Sequence, residues 1–229
     1  MVWLRFLAYF FLISGATAIV VLLETRHPGS LRLLEFVELT DSSGTSEFSP
    51  IEIAQLVILF ACGLVLLLVA RDFPSQRPLA VLLGGIALVC LVRELDYFLD
   101  RYVAENAWQF LVGVPAALVI AYTYRHRRRL GIALGRLWPS AGLVLMFAGA
   151  TLLFAVVRLL GSELFWQSML GADFQRVVVN AVDELIELCG YLLWFVGVIE
   201  YTVEVRALAA REPEPVAVKR RRAQLARRR

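Results

Sequence analysis

The chain contains six long apolar stretches, at residues 3–23, 51–70, 79–99, 107–124, 140–160 and 177–203. Crossing about 30 Å of hydrocarbon takes a helix of about 20 such residues. None of the stretches alternates in the manner of a barrel strand, so their backbone groups have to be satisfied within helices. The predicted fold is all-α: a polytopic, six-transmembrane-helix bundle over residues 1–208, followed by a disordered basic tail at 209–229. Composition points the same way. Hydrophobic residues make up 59% of the 229 and charged residues 19%, where an average soluble chain has about 45–50% and about 25%. A secreted, disulfide-stapled or nucleic-acid-binding soluble protein is thereby excluded. Cys62, Cys90 and Cys189 fall inside apolar runs without CxxC spacing or His neighbours, which favours small buried thiols over a disulfide or zinc site.

The net charge is only +3, but its placement is informative. Arg71 and Arg77 lie between the second and third stretches, and Arg125, Arg127, Arg128, Arg129 and Arg136 between the fourth and fifth. Residues 24–50 instead carry Glu24, Glu35, Glu38, Asp41 and Glu47 against Arg26 and Arg32. Basic connections stay in the cytoplasm, so the expected topology is multi-pass in the inner (plasma) membrane with both termini cytoplasmic. Arg5, an apolar run and Ala16-Thr17-Ala18 also fit a signal peptide with a small-residue cleavage site, but the run continues through Ile19 to Leu23, which suits a retained anchor better.

In the external loop, Leu31 to Leu39 fits a short interfacial helix and Asp41 to Ser49 a flexible connection. Ser49-Pro50-Ile51-Glu52 matches a capping box with proline at the first helical position, which accounts for Glu52. Trp3, Trp108, Trp138 and Trp166 sit near span ends as interfacial anchors. Gly84-Gly85 suits close helix packing, and Gly113 with Pro115 packing or a bend. The tail, with Lys219-Arg220-Arg221-Arg222 and Arg227-Arg228-Arg229, is expected to bind anionic lipids of the bilayer; no aromatic interleaving supports a nucleic-acid partner. Gly15-Ala16-Thr17 recurs as Gly149-Ala150-Thr151, a weak hint of internal duplication.

Charges inside hydrocarbon are rare and carry the functional information. The uncharged run 79–92 spans about 21 Å at 1.5 Å per residue, so Arg93, Glu94 and Asp96 are placed in the outer leaflet. Between Glu187 and Glu200 the uncharged run is about 18 Å, which draws Glu187, Glu184 and Asp183 into the membrane at a similar depth. At about 100° per residue, Asn180, Asp183, Glu184, Glu187, Tyr191 and Trp194 share one stripe. Arg93, Asp96 and Asp100 form a second face, and Glu94, Tyr97 and Arg101 an adjoining one. Arg158 adds a base near the external end of the fifth stretch, and Gln55 lies one turn below the cap of the second.

Glu94, Asp96, Asp100, Asp183, Glu184 and Glu187 against Arg93, Arg101 and Arg158 make six acids and three bases. In low dielectric such an excess calls for protons or cations. The leading expectation is an outer-leaflet, carboxylate-rich polar cavity that binds or transports a proton, cation or small polar solute, with Glu184 and Glu187 as carriers. Asp183, Glu184 and Glu187 are also the metal candidates, for a hard divalent cation such as Mg²⁺, Ca²⁺ or Mn²⁺; no organic cofactor is indicated. A membrane-embedded, metal-dependent enzyme acting on lipid headgroups is the less favoured alternative, because no Ser, His or Cys nucleophile arrangement supports it. A non-catalytic scaffold, in which the charges pair along or between helices, is the other.

Overall fold

The computed structural model describes residues 2–27, 49–104 and 107–211. The described residues are almost entirely helical and include no strand. In chain order they form α1 (Val2–Arg26), α2 (Pro50–Asp72), α3 (Arg77–Arg93), α4 (Asp96–Tyr102), α5 (Ala107–Arg125), α6 (Arg127–Leu137), α7 (Ala141–Thr151), a π turn (Leu152–Val156), α8 (Val157–Leu160), α9 (Glu163–Leu170), a 3-10 turn (Gly171–Asp173) and α10 (Arg176–Arg211). The expected surface helix at 31–39, the flexible stretch at 41–48 and the basic residues of the tail lie outside the described residues.

Among the described residues, three helical segments are long and apolar enough to cross a membrane: Trp3–Arg26, Pro50–Asp72 and Ala141–Leu160. Their outward faces carry Phe10, Phe11, Val57, Phe60, Leu67, Phe147 and Phe154, all exposed, an apolar surface of the kind that lipid covers. The remaining long helices, α3, α5 and α10, occupy the other apolar stretches with departures from a plain span. Helix α5 has Pro115 in its interior, and α10 runs for 36 residues, about 54 Å, with acids in its first half.

The third stretch departs most. A continuous helix over 79–99 was expected, but α3 stops at Arg93 after 17 residues, about 26 Å, and the chain turns at Glu94 and Leu95 before α4. Leu95 N–H bonds back to the Val92 carbonyl at 3.2 Å, a tightened last turn. The break falls where apolar sequence gives way to Arg93-Glu94-Leu95-Asp96. Arg93 and Glu94, successive residues, both reach across to α10, and the turn at their position ends the helix.

Helix starts follow their caps. Glu52 N–H donates to Ser49 Oγ at 3.1 Å and Ser49 N–H to Glu52 Oε2 at 3.0 Å, the capping box read from the sequence. At α7, Ser140 Oγ accepts from Leu143 N–H, while Glu204 of α10 accepts from Ala141 N–H at 2.8 Å and from the Ser140 hydroxyl. A carboxylate at a helix N-terminus satisfies orphan amides and opposes the positive end of the dipole.

The centre of the bundle is the antiparallel pair α7 and α10, and glycines set its spacing. A methyl group built on Gly142 would lie 2.4 Å from Tyr201 N, and one on Gly149 2.6 Å from the Gly190 carbonyl oxygen. Reciprocally, one on Gly197 would meet the Gly142 carbonyl oxygen at 2.9 Å, and one on Gly190 Leu153 Cγ at 2.7 Å. The π turn places Leu153 on that glycine. Around this pair, Cys62, Leu66, Val69 and Ala70 of α2, Leu79, Ala80, Leu83 and Ala87 of α3, and Trp194, Val198, Tyr201 and Val205 of α10 form the main apolar core. Gly85 packs on Val119 of α5, as a packing glycine does, whereas Gly113 has open space around it. So does Gly15, whose surroundings therefore differ from those of Gly149 despite the repeated tripeptide.

Two connections hold helices where only loops were expected. In α6, Ala133 and Leu137 are buried while Arg127, Arg128, Arg129 and Arg136 are exposed, as in a basic helix lying in a membrane interface. Helix α9 exposes Leu164, Phe165 and Met169 and ties Trp166 Nε1 to the Leu160 carbonyl.

Helix α1 docks on α10 through a polar contact as well as apolar ones. Glu200, 3% exposed, accepts from Arg5 Nη2 at 2.9 Å and from the Tyr9 hydroxyl at 2.9 Å. Arg5→Met is expected to cost about 1.5–3 kcal/mol, the range for losing a charged hydrogen bond, and Tyr9→Phe less. Thermal unfolding of the purified variants checks the order; equal midpoints for Arg5→Met and the parent would show that Glu200 finds another cation.

Candidate functional site

Elements α2, α3 and α10 bring polar groups together at the level of Glu184 to Tyr191. Arg93 Nη2, at the end of α3, lies 2.8 Å from Glu94 Oε1 and 3.0 Å from Glu187 Oε1. Glu94 Oε1 also accepts from the Tyr191 hydroxyl at 2.5 Å. One guanidinium nitrogen thus bridges two carboxylates from different helices, and a fully buried tyrosine locks one of them. The Glu94 and Glu187 side chains are 10% and 13% exposed, so their charges are largely withdrawn from water.

Glu184, one turn before Glu187 on α10, is held differently. Its Oε2 accepts from Gln55 Nε2 at 3.2 Å, and the same amide lies 3.5 Å from the Glu184 carbonyl oxygen. Gln55 is fully buried, and its own carbonyl oxygen Oε1 has no hydrogen-bond partner. Buried acceptors without donors are uncommon and mark places where a proton, water or ion belongs.

The expected residues are distributed as follows. Arg93, Glu94, Glu187 and Tyr191 meet in one network, with Glu184 joined through Gln55. Asp183 is turned towards α8: a methyl group on Gly161 would meet its Oδ2 at 2.6 Å, and its buried Oδ1 has no hydrogen-bond partner. Arg158 is exposed, one turn before Gly161. Asn180 is partly buried, one turn before Asp183 and Glu184. Asp96 lies beyond the helix break as the first residue of α4, so the single face proposed for Arg93, Asp96 and Asp100 does not run through. The side chains of Tyr97, Asp100 and Arg101 lie outside the described residues. No three His, Cys, Asp or Glu side chains converge as a metal-ligand set among the described residues; Asp183, Glu184 and Glu187 are engaged by different helices.

The sequence assigns Gln55 no contact, since a neutral amide in an apolar run leaves its partner open. The Arg5–Tyr9–Glu200 contact was missed. Arg5 looked like a leader charge, and only a polar group on the facing side of α1, such as Tyr9 one turn later, hinted otherwise. A groove of about 480 Å³, lined by Val81, Leu118, Val119, Tyr122 and Arg125, lies between α3 and α5, away from the network.

Compared with protein-family models, curated proteins and solved structures, the chain matches none.

Proposed function

We propose that the chain is a six-span protein of the inner membrane, with both termini cytoplasmic, that binds a proton, cation or small polar solute at the Gln55–Glu184 end of the Arg93 network. Helices at every one of the apolar stretches and the sorting of basic and acidic connections support the topology. On this topology α3 and α10 run in opposite senses, which puts Arg93, Glu94, Glu184 and Glu187 at one level of the outer leaflet.

The observation that carries the reading is the uneven pairing of the carboxylates. Arg93 serves Glu94 and Glu187, while Glu184 has only a neutral amide whose other end is itself unpartnered. Three carboxylates beside one guanidinium leave an excess of negative charge in a low-dielectric setting, and a proton or small cation arriving at Glu184 relieves it. A proton on Glu184 supplies the O–H donor, and a cation beside it the positive charge, that Gln55 Oε1 lacks. On this reading Arg93 and Tyr191 hold the frame, and Glu184 is the exchanging group with Glu187 next to it.

Infrared difference spectroscopy on the purified protein tests this directly. Acidification is expected to produce a protonated-carboxyl band that is absent in Glu184→Gln and persists in Glu187→Gln, and sodium or calcium is expected to shift that band wherever Glu184 is present. Spectra and ion responses identical in the parent and Glu184→Gln would sink the proposal and favour the scaffold reading, to which the Arg93 ion pairs by themselves are equally suited.

A further inference from the structure

Helix α10 carries more buried polar groups than the Arg93 network uses. Trp194 is 5% exposed and Tyr201 0% exposed, and neither Trp194 Nε1 nor the Tyr201 hydroxyl has a hydrogen-bond partner. Gln76, the residue that caps α3 between Arg71 and Arg77, is 1% exposed, and both atoms of its amide are likewise unpartnered. These groups are not scattered. At about 100° per residue, Glu184, Glu187, Tyr191, Trp194, Val198 and Tyr201 fall within one stripe about 100° wide. From Glu184 to Tyr201 this stripe rises about 26 Å, most of the hydrocarbon thickness. Tyr201 shares its apolar cluster with Leu79 and Ala80, and Ala80 N–H bonds to the Gln76 carbonyl, so Gln76 stands at the cytoplasmic end of the same interior.

We propose that this stripe is a hydrated proton path leading from Glu184 past Tyr191, Trp194 and Tyr201 to Gln76, and so from the outer leaflet to the cytoplasmic side. The inference rests on Glu184 as the exchanging group and extends it to directed proton movement. Unpartnered buried donors and acceptors in a row are the positions that internal waters occupy. Along the helix the groups are about 10.5 Å apart from Glu184 to Tyr191, about 4.5 Å from Tyr191 to Trp194 and about 10.5 Å from Trp194 to Tyr201, so one water joins the middle pair and a file of about three waters joins each of the others.

The chemistry of each group fixes its part. A proton from the outer side adds to a Glu184 carboxylate oxygen, giving the neutral acid, and leaves it to the first water of the row, which restores the carboxylate. Tyr191 donates to Glu94 and can still accept from that water. The indole N–H of Trp194 donates only, so it orients a water without relaying. The Tyr201 hydroxyl both accepts and donates, and passes the proton on to a water held by Gln76. The groups facing the entry are Glu52 and Gln55 from α2, Arg93 and Glu94 from α3, and Glu187 from α10 itself. Alongside the lower stripe stand Cys62, Leu66, Leu83, Ala87 and Met146, whose apolar side chains offer the path no competing carboxylate or amide.

The test is proton uptake by liposomes containing the full chain and a trapped pH-sensitive dye, driven by a valinomycin-clamped potassium gradient, with the infrared carboxyl band followed on the same preparations. The parent is expected to take up protons faster than protein-free liposomes. Tyr201→Phe, which removes one oxygen, is expected to slow uptake about tenfold, the effect of one lost hydrogen bond, with the Glu184 band retained; Trp194→Phe acts in the same direction. Retained band and uptake no faster than in protein-free liposomes would overturn the path and leave the Glu184 site standing. Uptake in the parent that neither variant slows would overturn it as well, and loss of both band and uptake in the parent would remove the site together with the path.

Discussion

Replacing Arg93 with methionine lowers the stability of the protein by about 3–5 kcal/mol, the cost of removing one member of a buried ion pair and stranding the other. Two carboxylates are stranded here, because the same Nη2 atom lies 2.8 Å from Glu94 and 3.0 Å from Glu187. Tyr191 still donates to Glu94, so Glu187 bears more of the loss. The companion experiment is Arg93→Met combined with Glu94→Gln and Glu187→Gln. With all three charges gone, the desolvation cost of the carboxylates goes too, and stability returns to within about 1–2 kcal/mol of the parent, as apolar or neutral replacements of whole buried networks do. Denaturant or thermal unfolding in one detergent checks both. An Arg93→Met variant within about 0.5 kcal/mol of the parent would mean that water reaches the network and that it behaves like a surface pair.

The positions of the long helices were legible because crossing a membrane imposes a length and an apolar composition that few other structures share. What the sequence did not show depended on partners distant in the chain. The helix break at Glu94 and Leu95 comes with a pairing to α10, and nothing local to Arg93-Glu94-Leu95-Asp96 distinguishes it from a helix end running into water. Helix α6 has a local signal, with Leu130, Ala133, Leu134 and Leu137 at helical spacing, but its arginines suit a basic loop between two spans equally well. In the candidate site, Arg93, Glu94, Glu184, Glu187 and Tyr191 stood out because ionisable or hydroxyl groups on one helical stripe in hydrocarbon are costly. Asp96 and Asp183 were grouped with them on helical periodicity alone, and periodicity does not survive a turn or distinguish which neighbour a face meets. Gln55 and Glu200 stand out less for opposite reasons: one is neutral, and the other sits close enough to the end of its apolar stretch to pass for an interfacial acid.

The second large effect concerns the glycines between α7 and α10, where the sequence held a pattern but no reason to choose it over others. Gly142 and Gly149 are seven residues apart, as are Gly190 and Gly197, and in an antiparallel pair this matches Gly142 with Gly197 and Gly149 with Gly190. At Gly142 and Gly149 an added methyl group would lie 2.4 to 2.6 Å from backbone atoms of α10, which cannot rotate aside as a side chain can. Gly149→Leu or Gly142→Leu is therefore expected to force the helices apart and cost about 3 kcal/mol or more, at the upper end of overpacking effects. Gly15→Ala and Gly113→Ala, where nothing lies within 4 Å, are expected to be neutral or to stabilise by up to about 1 kcal/mol through helix propensity. Coupling gives the sharper measurement. Gly149→Ala and Gly190→Ala both push on one contact, so once either has opened the gap the other adds little, and the double variant falls short of the sum by about 1 kcal/mol or more. Additive losses would show that the two glycines do not face each other. Because Asp183, Glu184 and Glu187 lie on the same helix within three turns of Gly190, a shift of α10 against α7 also moves the acids, so Gly149→Leu is expected to weaken the acid-induced carboxyl band along with stability.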